Sequence, residues 1–328
     1  MDPQIDKDAY SPAVAHAYLD RLDLPPVLNP HAVSRTHSVS PAAAATAKIF
    51  TSASGQADGS SGYGDVRLST QAHTAATAPQ AWAGKFGYYF NALPPELRAV
   101  LRMDEVASFS VTEANFADRI SRFVRALPGL GAQPQIVDAT ACVGGNSMSF
   151  LRYFATVWSV ELDTARAQML NKNMRNCKKI LEAQNQGTKL GAFKVFPGNF
   201  LELRAKPEHQ LSRRSDVVFL DPPWGGRKYK DSETVRLMLG GVAMCDVCNS
   251  LRDACQYVVM KLPVNYDVGA LRSGVAGAGG QVLKDEDLAD GRGRKKMKIV
   301  VVNYARGSGV GGGGGRKSSS NNSSGNNA

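Results

Sequence analysis

No stretch of this 328-residue chain is apolar for the length a membrane-spanning helix needs, so the reading expects a soluble protein with no membrane partner. No secretory leader opens the sequence, and its five cysteines point to a reducing compartment rather than a disulfide scaffold. Cys245-Asp-Val-Cys248 has metal-like spacing but no second pair, and His16, His31, His37, His73 and His209 are scattered, so no metal site is expected. The G-x-G-x-x-G dinucleotide fingerprint is missing too.

Apolar residues are also scarce at both ends. Residues 1–80 are rich in Ala, Ser, Thr, Gly and Pro, and from Gly307 the chain is almost entirely Gly, Ser and Asn. Neither has enough hydrophobic content to offset ordering entropy, so 1–80 and 307–328 are expected to be largely disordered around one folded domain, 81–306. Within the first extension, Val14, Tyr18 and Leu22 recur at helical spacing, and a short helix there offers a place for protein partners. The folded core is expected to be monomeric.

Charge is concentrated in that core. Residues 1–80 hold five basic and seven acidic side chains, whereas 81–306 hold 32 and 22. A positive excess on a folded domain favours polyanions such as nucleic acid.

From residue 116 onward the pattern alternates. The spacing predicts helices over 116–126, 146–154, 163–183 and 232–254. It predicts strands over 135–141, 157–162, 193–197, 216–220, 257–262 and 296–304, the last paired with 281–284. Such alternation gives an α/β, doubly wound, mostly parallel sheet, and the closing pair without a helix between its strands places one antiparallel strand at that end. The combination is typical of the class I S-adenosylmethionine-dependent methyltransferase fold.

The fourth strand carries the most specific signal. The apolar run Asp216–Leu220 leads straight into Asp221-Pro222-Pro223-Trp224-Gly225-Gly226. A buried parallel strand that stops at two prolines delivers its next residues to the cleft beyond the carboxyl ends of the sheet. What it delivers is a carboxylate, carbonyls preceding prolines, and an indole. The first two can accept the hydrogens of an exocyclic amino group, and the third can stack on the ring carrying it. A cationic ring would gain a cation–π contribution as well. Amino-group methylation of a nucleobase follows as the expected chemistry, with Asp221, Pro222 and Trp224 at its centre.

The cofactor half is read from the first three strands. Asp138 leads into the small-residue turn Ala139–Asn146, in which Gly144 lets backbone approach a ligand. Glu161 ends the second strand about 20 residues on, where such folds place a carboxylate on ribose hydroxyls; Asp163 is expected to cap the next helix instead. Asn199 and Phe200, after the third strand, suit the edge and face of adenine, although an ordinary Gly-Asn turn before a core phenylalanine is an equal reading.

These residues resemble the trimethylguanosine synthases. The resemblance covers about 85–305 and rests on Asp221–Gly226, Asp138-Ala-x-x-x-Val143-Gly-Gly-Asn146, Phe109-Ser110-Val111-Thr112, Lys261-Leu-Pro-Val-Asn265 and the aromatic stretch Phe86–Phe90. It implies an enzyme that methylates the exocyclic N2 of 7-methylguanosine in RNA caps, with S-adenosyl-L-methionine as cofactor, capped RNA as partner and a nuclear location. It further implies that Thr112, Asp138, Glu161 and Asn199 line the cofactor site and that Ser110, Asp221 and Trp224 face the cap. The chain departs from the family at Ser108 (usually Trp), Cys142 (Gly), Glu161 and Asn199 (Asp), and Val264 (Arg).

Arg213-Arg214, Arg227-Lys228-Tyr229-Lys230 and the run 292–298 are candidates for cap phosphates and RNA backbone, with Arg227, Lys228 and Lys230 best placed. For 292–298 a solvated basic hairpin is the stronger expectation. Two other functions fit part of the pattern: adenine-N6 methylation of RNA or DNA, and a non-catalytic cap-binding module.

Overall fold

A computed structural model describes residues 71–184 and 189–304. The helix expected near Val14–Leu22, the rest of the extension up to residue 70, and the Gly/Ser/Asn tail lie outside the described residues. The described residues divide into two compact units, one up to Asp221 and one from Pro222. The main sheet has seven strands.

In the first unit, helices α1 (Gln80–Tyr89), α2 (Pro95–Val100), α3 (Ala107–Ser110) and α4 (Ala114–Arg125) precede the alternating part. Phe116, Ala117, Ile120 and Val124 form the buried face of α4, at the spacing a helix lying on a core requires. Then follow β1 (Gln135–Asp138), α5 (Gly145–Phe150), β2 (Thr156–Glu161), α6 (Thr164–Gln184), β3 (Ala192–Pro197), α7 (Phe200–Ala205) and β4 (Ser215–Leu220). The pairings β1–β2, β2–β3 and β1–β4 are all parallel, with Ile136 opposite both Val157 and Val217. Val217, Val218, Phe219 and Leu220 are all buried, as befits a strand covered on both faces, whereas β3 alternates toward solvent. The rings of Phe150 and Phe219 meet edge to face at 5.2 Å, joining α5 to β4 in the core.

The second unit contains a 3₁₀ turn at Gly226–Asp231, a short hairpin of β5 (Met238–Leu239) and β6 (Val242–Ala243), α8 (Met244–Ser250), β7 (Cys255–Leu262), α9 (Val268–Ala276), β8 (Gly280–Ala289) and β9 (Lys295–Tyr304). Strand β9 runs antiparallel to both β7 and β8. It is therefore the antiparallel strand expected from the closing pair, and it lies one place in from the edge.

The helix expected over 232–254 is a correction. Gly240 and Gly241 sit at φ +57° and +80°, the left-handed pair that a two-residue hairpin turn needs. Met238 consequently faces Ala243 across β5–β6, and the helix begins only at Met244. The short α7 and the glycine-bearing α9 were not anticipated.

Candidate active site

Beyond β1 the chain moves outward through β2 and β3, then returns to lay β4 on the other side of β1. The order reverses between β1 and β4, and the cleft at their carboxyl ends is the binding position of such sheets. Asp138 ends one of these strands and Asp221 follows the other. The Ala139 amide donates to the Phe219 carbonyl at 2.9 Å, and the Asp221 amide donates to Thr140 Oγ1 at 2.7 Å, so the two strand ends are fastened together.

Asp138 is 1% exposed and accepts a 2.6 Å hydrogen bond from Ser147 Oγ, which itself accepts from Ser159 Oγ at 2.9 Å. Burial pushes its carboxyl up to about 7, and the negative charge of Asp221 adds to the shift.

The turn after β1 is built by close approach. Gly144 has φ +102°, and a Cβ there would lie 2.8 Å from Leu170 Cδ1. A Cβ on Gly145 would lie 2.8 Å from the Thr112 carbonyl oxygen, because the segment leaving α3 crosses the start of α5. This crossing brings Asn146 to Thr112, Nδ2 donating to Oγ1 at 3.0 Å. Asn146 Oδ1 is buried without a hydrogen-bond partner among the described residues, an orphan acceptor beside the expected cofactor residue Thr112.

Glu161 is held from several sides. Its Oε2 accepts from the Cys142 amide at 2.9 Å, and its Oε1 accepts from the Asp163 amide at 3.0 Å and Arg166 Nε at 3.2 Å. Arg166 also donates to Asp104 Oδ2 at 3.2 Å, and Asp104 Oδ1 accepts from the Ala107 amide, the first of α3, at 2.7 Å. Glu161 is thus tied to the helix that delivers Ser110 and Thr112. The sequence reading missed Asp104, Arg166 and Asn146. It also missed Leu162, an apolar side chain 70% exposed directly after Glu161, and that exposure has no sequence signal. Asp163 caps α6 as expected, accepting from the Arg166 amide at 2.8 Å.

The remaining expected residues differ in their commitments. Asn199 caps α7, its Oδ1 accepting from the Leu201 amide at 3.0 Å while its Nδ2 donates to Glu202 at 3.1 Å. Phe200 is 4% exposed, so the pair matches the Gly-Asn turn and core phenylalanine weighed from sequence. Ser110 is exposed and donates to the Val106 carbonyl at 3.2 Å. Arg213 and Arg214 precede β4 and so lie toward the opposite end of that strand from Asp221, roughly 23–26 Å away at about 3.3 Å per residue.

In the second unit, Pro222 is buried and Trp224 is half-buried. The indole meets the Tyr229 ring edge to face at 5.3 Å, and Lys261 Nζ lies 5.3 Å from its centroid. Its Nε1 is buried with no hydrogen-bond partner among the described residues. Gly225 and Gly226, at φ +81° and +69°, turn the chain into the 3₁₀ segment. Asn265 anchors that segment, Nδ2 donating to the carbonyls of Tyr229 and Ser232 at 2.8 Å each. Lys230 is exposed, 5.8 Å from the Tyr229 ring; the side chains of Arg227 and Lys228 lie outside the described residues.

Four of the five cations in the basic run 292–298 pair with carboxylates of the same hairpin. Arg294 and Lys296 pair with Asp290, Lys295 with Asp287, and Lys298 with both Asp285 and Asp287. Among the described residues no group of three or more His, Cys, Asp and Glu side chains could hold a metal ion, and no helix is long and apolar enough to cross a membrane.

Comparison with known proteins gives concordant findings. Residues 133–303, just over half of the chain, match the family described as RNA cap guanine-N2 methyltransferase. An uncharacterized protein of Acanthamoeba polyphaga mimivirus is 33% identical over 134 residues, 40% of this chain and 47% of that protein. The trimethylguanosine synthase of Schizosaccharomyces pombe is 27% identical over 52% of this chain and 65% of its own length. That of Saccharomyces cerevisiae is 27% identical over 53% and 51%. The chain thus spans about half to two thirds of the length of the curated relatives it matches. Among solved structures, the rRNA methyltransferase aviRa of Streptomyces viridochromogenes aligns over 66% of this chain and 92% of its own, at 14% identity and a TM-score of 0.46.

Proposed function

Because the chain belongs to the RNA cap guanine-N2 methyltransferase family, we propose that it methylates the exocyclic N2 of 7-methylguanosine in RNA caps, with S-adenosylmethionine as donor. The carrying observation is Asp221-Pro222-Pro223-Trp224, which leaves β4 where the strand order reverses and ends in a half-buried indole.

The first unit has a donor set that fits the cofactor. Glu161 is a fixed carboxylate suited to ribose hydroxyls, and the exposed Leu162 offers an apolar surface to a flat base. The orphan Asn146 Oδ1, next to Thr112, is an acceptor waiting for an ammonium or hydroxyl donor. Gly144 and Gly145 keep the turn free of side chains. When bound, S-adenosylmethionine supplies an electrophilic methyl group on a sulfonium.

In this reading Trp224 stacks on the base, worth roughly 1–3 kcal/mol for a neutral ring and more for the cationic 7-methylguanine. Its edge contact with Tyr229 and the Asn265 anchor of the following turn fix the indole before substrate arrives. The Asp221 carboxylate and the carbonyl preceding Pro222 accept the two hydrogens of N2, which aims its lone pair. That orientation is the main catalytic contribution. The bond to nitrogen would form as the methyl–sulfur bond breaks, with S-adenosylhomocysteine leaving as a neutral thioether; the N–H proton would then pass to water, so Asp221 need not be a strong base. Lys230 is proposed for the cap phosphates, with Arg227 and Lys228 beside it in sequence.

Incubation with labelled methyl donor and either a 7-methylguanosine dinucleotide or an adenine-containing oligonucleotide tests the proposal. Label is expected on the dinucleotide alone. Label on adenine alone would support base-N6 methylation instead, and label on neither would favour a non-catalytic cap-binding module.

A further inference from the structure

A second basic surface lies on the first unit, built from α6 and the segment after α2. A groove of about 400 Å³ is lined by Arg102, Lys172, Arg175, Asn176 and Thr74, with Ala99 and Val100 supplying small apolar side chains. Lys172 and Arg175 are exposed, three residues apart on one face of α6, and exposed Lys179 continues that face. No carboxylate is among the lining residues, and Arg102, Lys172 and Arg175 form no ion pair among the described residues. Four other cations of this unit are paired, Arg122 and Arg152 with Asp118, Arg166 with Asp104 and Glu161, and Lys178 with Glu182. On α2, Glu96 accepts from Gln184.

The groove is held in shape. Asn173, fully buried between Lys172 and Arg175 in sequence, accepts from the Arg102 amide and donates to the Arg102 carbonyl, each at 2.8 Å. It donates as well to the Val143 carbonyl at 2.9 Å, in the turn assigned above to the cofactor. On the other side of Arg102, His73 and Met103 exchange both backbone hydrogen bonds at 2.9 Å. Arg102 is therefore positioned against α6 before any ligand binds.

We propose that this groove binds the phosphodiester backbone of the RNA beyond its cap. Guanidinium forks suit phosphate oxygens, and an amide and a hydroxyl at Asn176 and Thr74 suit ribose hydroxyls. The groove lining contains no aromatic ring on which a base could stack, so contact is to the backbone and independent of sequence. Arg175 lies eleven residues into α6 from Thr164, roughly 16 Å from the carboxyl end of β2 at about 1.5 Å per residue, a span of a few nucleotides. The inference rests on the cap methyltransferase reading.

The test uses the full chain and the variant Lys172→Glu/Arg175→Glu. Binding of a labelled, uncapped single-stranded RNA is measured across a salt series, and methyl transfer is measured separately to a cap dinucleotide and to a capped oligonucleotide. The variant is expected to lose roughly tenfold or more in affinity for the uncapped RNA, with a salt slope shallower by about 1.4 for two lost contacts on a single strand. Its KM for the capped oligonucleotide should rise similarly while kcat/KM for the dinucleotide stays unchanged. Equal RNA affinity and equal salt slope in parent and variant would overturn the inference, as would an equal loss on dinucleotide and oligonucleotide. Failure of the parent on the dinucleotide would sink the cap reading instead, while the uncapped-RNA measurement still decides the groove.

Discussion

Glu161 holds the backbone amide of Cys142 at 2.9 Å, and Cys142 is the one non-glycine residue at positive φ, +49°, among the described residues. The carboxylate assigned to ribose therefore also fixes the turn in which the family carries glycine. A left-handed conformation costs an L-residue roughly 1–2 kcal/mol. Cys142→Gly should remove that strain, less the entropy glycine adds to the unfolded chain, for a net gain of about 1 kcal/mol. A rise of about 2–4 °C in the thermal midpoint is expected. A fall would show that the turn gains more from the cysteine side chain than it loses in backbone strain. Burial, reinforced by Glu161, also pushes the Cys142 thiol well above its usual range, so slow alkylation at neutral pH is expected.

Asp138 makes stability depend on pH. Its carboxyl sits at about 7 in the folded chain against an ordinary value of 3.8, so the folded state retains a proton the unfolded state has released. This contribution is fully present below about 4 and is lost as pH rises through about 7. Asp138→Asn keeps the shape without the charge. The stability difference between variant and parent should move in the variant's favour between pH 5 and 8, by up to about 3 kcal/mol at about 1.4 kcal/mol per unit. Urea unfolding of both proteins at the two pH values measures it, and parallel pH profiles would contradict the assignment.

Asn265 fixes the loop after Trp224 through two carbonyls. Asn265→Ala removes both bonds, each worth about 1 kcal/mol. KM for a cap dinucleotide should rise several-fold, while calorimetric affinity for S-adenosylhomocysteine holds. A loss of cofactor affinity with an unchanged KM would place Asn265 in a different role.

The β8–β9 hairpin serves as a charge control. Lys295 and Lys296 already face Asp287 and Asp290. Because carboxylates at 2.7 and 3.3 Å offset their positive field, Lys295→Ala/Lys296→Ala should change RNA affinity by less than about twofold. A loss comparable to that of the groove variant would mean that these lysines, despite their partners, contact RNA.

The sequence made legible what short-range pattern encodes. The apolar run into Asp221-Pro222-Pro223-Trp224 announced a buried strand and its outlet, and the alternation before it located β1, β2, α6 and β3 within a few residues. The hairpin at Gly240-Gly241 was lost because the apolar spacing around it also fits a helix, and only the paired positive φ values decide. Contacts between distant residues left no local trace. Arg166 meets Asp104 across 62 positions and Asn173 meets Arg102 across 71, so neither the α3 anchor nor the shape of the basic groove could be read in advance. Asn199 illustrates a third case, since one side chain suits both a helix cap and an adenine edge; in the structure its Oδ1 caps α7.

The central claim is that Asp221 and Trp224 present an exocyclic guanine amine for methylation. Digestion of a 7-methylguanosine cap analogue after incubation with the full chain and S-adenosylmethionine, followed by mass analysis of the nucleosides, tests it directly. Added methyl is expected on N2 of the 7-methylguanosine, absent in Asp221→Ala and Trp224→Ala although both still bind S-adenosylhomocysteine. Methyl found on a ribose oxygen or on adenine, or near-normal N2 methylation in both variants, would contradict it.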